Sequence, residues 1–327
     1  MSNRIPKISF VLPVYNEESN LMVVYESIKK ACSESDVDYE IIFVDDGSTD
    51  SSLGVMKKLK SSDNKANYVS LSRNFGHQNA FFAGMSHSTG DAVITMDADM
   101  QHPPALIPKM VGMWRKGAEI VYTVKNNPNL PFIKGIIVKA SYWFISKVSG
   151  LKLNFGQSDF RLIDRKVLKI ILDMPEYHKF LRGQVSWIGF RQEGIPYDVE
   201  KRHSGKAKYS YGKLYNLALD GIFSFGRYPL HLIMLLSLIV FAASFCYIAV
   251  ILCLWILKSL NIIDVSMPPG WTDLIMGILL LGSIQLMAIG ILGEFIGRVF
   301  DQTKGRPVFI VRESSVGKKE DVYIKAS

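Results

Sequence analysis

A chain of 327 residues with 38 Lys and Arg against 30 Asp and Glu carries a formal charge of +8, and 48 % of its residues are hydrophobic. Its three cysteines, Cys32, Cys246 and Cys253, make no disulfide or zinc framework, which excludes a small stapled scaffold and fits a reducing compartment. Basicity with a positive mean hydropathy (+0.15) is unusual for a purely soluble enzyme, and its source is an abrupt change of composition near residue 227.

The start, "MSNRIPKISFVLPVYNEE", has no long apolar segment with a cleavage site, so no signal peptide is expected. "ISFVL" (8–12) reads as a strand, and the helix after it has Asn16 as candidate cap with Glu17 and Glu18 in its first turn. "EIIFV" (40–44), "NYVSL" (67–71), "AVITM" (92–96) and "AEIVYTV" (118–124) read as further strands, with helical stretches between the earlier ones. Short, almost wholly apolar strands alternating with helices predict a parallel sheet covered on both faces. Ligands of such sheets collect beyond the carboxyl ends of the strands. There the chain places "PVYNE", "DDGS", "SRNFG" and "DADMQ", one after each of the first four strands.

In the last of these, Asp97 and Asp99 are two residues apart, and an extended path puts both on one side, with Gln101 joining them if the path continues. Like charges held so close raise each other's pKa unless a cation intervenes. A lone D-x-D is commonly a solvated turn. On this rim a divalent ion with hard oxygen ligands is the better reading. In "DDGS", Asp45 suits a turn that bonds its own backbone.

Residues 201–213, "KRHSGKAKYSYGK", hold five cations and no acid. No stacking platform or recognised nucleic-acid module accompanies them, so nucleic acid is not expected as a partner. A solvated loop or a contact with anionic headgroups remains. Residues 213–227 carry apolar side chains at helical spacing, suiting a helix in the membrane interface or one packed on the preceding domain. Two apolar runs follow, Tyr228 to Leu257 and Leu274 to about Ile296, joined by a loop without Lys or Arg. Arg227 precedes them and Arg298, Lys304, Arg306 and Arg312 follow, so both termini are expected in the cytoplasm. Gly293 and Gly297 form a G-x-x-x-G for close helix packing, and Glu294 and Arg298 an i, i+4 ion pair. "RPVFIVRES" (306–314) is strand-like and a candidate to pair with a neighbouring chain.

Taken in order, "PVYNEE", "VDDGSTD", "SRNFG", "MDADMQHPP", "SDFRLI", "RHSGKAKYS" and two apolar runs resemble the GT-A-fold family 2 glycosyltransferases, above all those acting on polyprenyl phosphates, over nearly the whole chain. Dolichol-phosphate mannose synthases and, nearer, bactoprenol (undecaprenyl-phosphate) glucosyltransferases are the subgroups in question. The resemblance implies an α/β fold: a GT-A (Rossmann-like), mainly parallel sheet catalytic domain over 1–212, an interfacial helix over 213–227, two transmembrane helices over 228–297 and a cytoplasmic tail over 298–327. It implies a nucleotide-sugar donor held by Pro13, Tyr15, Glu17 and Asp46 with help from Asp97, and Mg²⁺ or Mn²⁺ on Asp99 and Gln101. Asp97 and Asp99 join Asp159 as the candidate catalytic carboxylates; Asp159 is either a general base, an orienting group or a partner of Arg161 or Arg165. Arg202, Lys208 and Arg161 would clasp the phosphates of donor and acceptor. His77, His102 and His203 receive no role.

The implied activity is inverting transfer of one sugar, glucose from UDP-glucose, onto undecaprenyl phosphate at the cytoplasmic face of a bacterial inner membrane, by a homo-oligomer (a tetramer by resemblance). The product would supply O-antigen or other surface polysaccharide modification. GDP-mannose, UDP-N-acetylglucosamine or an aminosugar nucleotide are alternative donors, and a non-catalytic membrane scaffold is the alternative outside enzymes. A processive synthase would carry more spans and a Q-x-x-R-W-type motif, which this chain does not have.

Overall fold

The structure, a computed structural model, describes residues 4–126, 156–177, 179–198, 228–260 and 270–317. The basic segment 201–213 with Arg202 and Lys208, and the expected interfacial helix at 213–227, lie outside the described residues.

Strands β1 (Lys7–Val14), β2 (Asp38–Asp45), β3 (Ala66–Leu71) and β4 (Ala92–Thr95) alternate with helices α1 (Glu18–Ser33), α2 (Ser52–Ser62) and α3 (His77–His87). Helix α4 (Ile107–Arg115), β5 (Ile120–Lys125), β6 (Gln157–Asp164), α5 (Arg165–Asp173), α6 (Leu181–Ile188) and β7 (Gln192–Tyr197) follow. The chain ends in two long helices, α7 (Tyr228–Ser259) and α8 (Trp271–Thr303), and strand β8 (Val311–Ser314). These strands form one sheet in the order β7-β5-β6-β4-β1-β2-β3-β8. Strands β1 to β4 are parallel, β6 is antiparallel to both β4 and β5, and β7 runs parallel to β5. This is the GT-A arrangement expected from the sequence. The fifth strand, however, does not join the fourth; β6 is inserted between them.

Alternation along the strands makes two cores. On one face Ile8, Phe10 and Leu12 of β1 pack with α1 (Leu21, Val24, Ile28) and α4 (Met110). On the other, Val11 and Val44 meet α3 (Phe81, Phe82), α5 (Val167, Leu168) and α6 (Leu181, Val185). Helix α3 lies so close to the sheet that a Cβ on Gly84 would collide with the Val11 side chain and stand 2.8 Å from Val44 Cγ2, so no larger residue fits there.

The tail strand closes this sheet and not a neighbour's. Strand β8 pairs antiparallel with β3 of its own chain, Ser70 opposite Glu313. Val308 and Phe309 just before it are buried in the second core. An apolar pair entering the core needs a place where the parallel sheet still has a free edge, and β3 is that edge. Phe309→Ala is expected to cost about 3–5 kcal/mol, as for other buried Phe truncations, read as a fall in the thermal unfolding midpoint. An unchanged midpoint would mean that the tail contributes nothing to the domain.

Helices α7 and α8 lie against each other and expose large apolar side chains, Phe241, Phe245, Leu280 and Leu286 among them. Among the described residues one stretch, Leu280–Thr303 of α8, is long and apolar enough to cross a membrane by length and composition. On α7 the apolar stretch found among the described residues is Ile233–Tyr247. The expected ion pair is formed: Arg298 Nε donates to Glu294 Oε1 at 2.9 Å.

Candidate active site

The four polar clusters meet at the carboxyl ends of β1 to β4. The first two are tied together by Asn16, which is not the cap of α1. It is left-handed (φ 55°), and its side-chain oxygen accepts from Thr49 N at 2.8 Å and Asp50 N at 3.3 Å. Glu17 takes the cap position. Glu17 N donates to Ser52 Oγ (3.0 Å), and one carboxylate oxygen accepts from Asn20 Nδ2 (2.6 Å). Tyr15 stands exposed on the rim. Pro13 is buried within β1 opposite Val44, at the end of the strand beneath the rim.

Asp45 closes the "DDGS" turn: one oxygen accepts from Ser48 N (2.9 Å), the other from Ser70 Oγ (2.8 Å). Gly47 (φ 71°) completes that turn, and a Cβ there would stand 2.7 Å from the backbone of Arg73 and Asn74. Asp46, expected at the donor, binds the next loop: its two oxygens accept from Phe75 N (2.7 Å) and Gly76 N (3.0 Å). Burial pushes its carboxyl up to about 6 despite those bonds. A raised carboxyl contributes stability in acid that is lost as pH rises through about 6. Asp46→Asn is therefore expected to remove part of the decline in stability between pH 4 and 7, measured by unfolding at both; an unaltered difference refutes this.

The extended path assumed for the two aspartates does not continue. Strand β4 ends at Thr95, the chain turns at Ala98 and Asp99, and Met100 is left-handed (φ 62°). The carboxylates consequently have different surroundings. Asp97 lies between two imidazoles, His77 Nε2 at 2.7 Å and His102 Nε2 at 3.6 Å. Burial would raise its carboxyl, but His102 and His77 more than offset that and hold it at about 2. His77 opens α3, and although burial opposes its charge, Asp97 raises its pKa. His102 is buried and stacked on Phe160, with ring centroids 5.4 Å apart. Its Nδ1 accepts from Asp97 N (3.0 Å), which leaves the proton on Nε2, 2.7 Å from Ser158 Oγ. Burial lowers the pKa of His102, so it is His77, whose pKa Asp97 raises, that can oppose the Asp97 charge.

Asp99 is buried and accepts from Gln101 N at 3.1 Å. Among the described residues no group of three or more His, Cys, Asp or Glu is placed to hold a metal. A buried carboxylate and an amide oxygen are nevertheless the hard donors that Mg²⁺ or Mn²⁺ accepts, since Mg²⁺ commonly takes one or two carboxylates and completes its shell with water and substrate phosphate. Asp99 and Gln101 fit such an ion.

Asp159 comes from β6, is buried, and faces a residue the sequence did not single out. Arg182, in the first turn of α6, grips it with both ends of its fork: Nε to Oδ1 and Nη2 to Oδ2, each 2.8 Å. Burial would raise the Asp159 carboxyl, yet Arg182 first, then Arg161 and His77, holds it well below the usual carboxylate range. Neither sequence candidate is the main partner. Arg165 donates to Gly90 O (2.6 Å), and Arg161 stands 3.5 Å from Asp159 Oδ1. Arg161 is fully buried, with Nη2 on Ser158 O at 2.8 Å, and supports Asp159 from within. His77, Asp97, Asp159 and Arg182 therefore form one charged cluster at the rim, fed by α3, β4, β6 and α6. His77 and Arg182 were missed because nothing in "GHQ" or "LRG" signals a partner so distant in sequence.

Comparison with known proteins places the chain among glycosyltransferases. The profile of Glycosyl transferase family 2 matches residues 9–171. A glycosyltransferase of Synechocystis sp. (sll0501, uncharacterized) is 38 % identical over 94 % of this chain and 95 % of its own. The prophage bactoprenol glucosyl transferase homolog of Escherichia coli K12 is 36 % identical over 94 % of this chain and 98 % of its own. The bactoprenol glucosyl transferase of Shigella phage SfII is 35 % identical over 95 % and 99 %.

Proposed function

Because the chain belongs to glycosyl transferase family 2, we propose that it transfers a single sugar, glucose from UDP-glucose, onto undecaprenyl phosphate. The reaction runs at the cytoplasmic face of a bacterial inner membrane, with inversion at the anomeric carbon. The observation that carries this reading is the ionised, Arg182-clamped Asp159 beside Asp97 on the strand rim. End-to-end similarity to bactoprenol glucosyl transferases supports the lipid acceptor and the sugar.

Tyr15 and Glu17 border the donor site, and Asp46 and Asp45 keep the two loops beneath it in place. Asp97, held ionised between the imidazoles, accepts hydrogen bonds from the donor. Asp99 and Gln101 would hold a Mg²⁺ or Mn²⁺, which would neutralise charge on the leaving nucleoside diphosphate. A general base works best with a pKa near the working pH. Asp159 lies far below it, and a phosphate monoester with a second pKa near 6 is already an anionic nucleophile at pH 7. Asp159 accordingly orients the reactants and faces the positive charge that develops at the anomeric carbon.

Helices α7 and α8 both cross the membrane in this reading, the catalytic domain and both termini staying in the cytoplasm. Arg202 and Lys208 reach the phosphates of donor and lipid, and chains associate into a homo-oligomer through faces such as Gly293 and Gly297. The lipid-linked glucose supplies modification of O-antigen or another surface polysaccharide.

The test incubates the purified protein with undecaprenyl phosphate, Mg²⁺ or Mn²⁺ and each labelled nucleotide sugar in turn. Label is expected in the organic phase from UDP-glucose. Transfer from GDP-mannose or UDP-N-acetylglucosamine instead would replace the donor, and no transfer from any donor by folded protein would sink the reading.

A further inference from the structure

In the last turn of α8 the side chain of Gln302 touches the catalytic domain. Gln302 spans the loop after α5 with both ends of its amide: Nε2 donates to Pro175 O at 2.6 Å, and Oε1 accepts from Tyr177 N at 2.7 Å. That loop is held from below as well. The buried Lys179 donates to Met174 O at 2.6 Å and lies 5.0 Å over the Phe82 ring. Where the loop becomes α6, Leu181 N donates to Gln78 Oε1 at 3.1 Å. The next residue is Arg182, which grips Asp159. On the far side of Gln302 the chain runs straight into buried Val308 and Phe309 and the β8 ladder. The amide is thus fixed from both directions, one helix start away from the carboxylate.

We propose that Gln302 is a positioning residue for the transfer reaction: by holding the Pro175–Tyr177 backbone to the end of α8, it sets where Arg182 places Asp159. The proposal rests on the functional reading above, in which Asp159 acts on the sugar. A glutamine suits the task because one group must donate and accept at once; Glu keeps only the acceptor and Ala neither. It also ties the end of α8 to the segment that leads into Arg182, which makes the link measurable.

The experiment is a double-mutant cycle on the full chain in lipid nanodiscs, following sugar transfer to undecaprenyl phosphate. Gln302→Ala is expected to lower kcat by about five- to tenfold with the donor KM unchanged within about twofold. Gln302→Glu should fall between it and the unaltered protein. In an Arg182→Lys background, where the fork on Asp159 is already lost, Gln302→Ala should change kcat by less than about twofold. Equal losses in both backgrounds, or a rise in KM alone, would overturn the proposal and leave Gln302 a tether. If Gln302→Ala does not fold, Gln302→Glu is read in the same cycle. Failure of the unaltered chain to transfer any sugar would remove the functional reading, and the proposal with it; transfer with additive effects removes the proposal only.

Discussion

Replacing Arg182 by alanine is expected to destabilise the protein by about 3–5 kcal/mol, because it strands a buried carboxylate that loses both of its 2.8 Å bonds. The loss should depend on pH in a defined sense. Asp159 is held far below its ordinary value, so its stabilisation is complete above the unfolded carboxylate's pKa of about 4 and is lost as pH falls below that. The unaltered protein should therefore lose stability steeply in acid below about pH 4, and Arg182→Ala should flatten that arm. Thermal unfolding of both proteins across pH 3 to 8 provides the check, and parallel profiles would show that the pair does not set the titration. Asp159→Asn keeps the shape of the side chain but loses its charge. It should lower kcat by about 10²–10³-fold, the range seen when one group that stabilises transition-state charge is removed.

Asp99→Asn is expected to reduce transfer by about 10³-fold while leaving the fold in place, since the amide oxygen can still accept from Gln101 N. The measurement that separates metal binding from packing is activity against Mn²⁺ concentration. The substitution should move the half-saturating concentration upward by at least about tenfold if the carboxylate is a ligand, a loss of about 1.4 kcal/mol in binding. Loss of activity at all concentrations, with Mn²⁺ binding unaltered by calorimetry, would take the ion away from Asp99.

The central sheet was legible in the sequence because four strands buried on both faces are nearly continuous apolar runs. "EIIFV" and "AVITM" can be little else when helices flank them. The polar clusters after them also declared the rim, since a parallel sheet aligns all its carboxyl ends. What could not be read is whatever depends on pairing across long separations. Strand β6, "QSDFRLID", is as buried as its neighbours, and nothing local says that it enters antiparallel between β4 and β5. Arg182 meets Asp159 across 23 positions, through a helix start that packing alone brings to the rim. Met100 broke the extended path because a turn needing a positive φ was filled by a residue that gives no turn signal. Asn16 misled in the opposite way. An Asn before two glutamates is a good cap, but in a left-handed conformation it serves the neighbouring loop instead.

The tail strand has a consequence for how the protein is made. Tyr68 of β3 bonds Ser315, 247 positions later, and between them lie both long apolar helices. A ribosome adding about 5–20 residues per second needs roughly 12 to 50 s to cover that separation. Throughout that time β3 is an unpaired sheet edge, the kind of surface that recruits foreign strands. The catalytic domain therefore reaches its final sheet only after α8 has emerged and found its place. Synthesis imposes an order in which the helices come first and the sheet is sealed last, so a chain that stalls before Phe309 leaves an edge for chaperones or proteases to find.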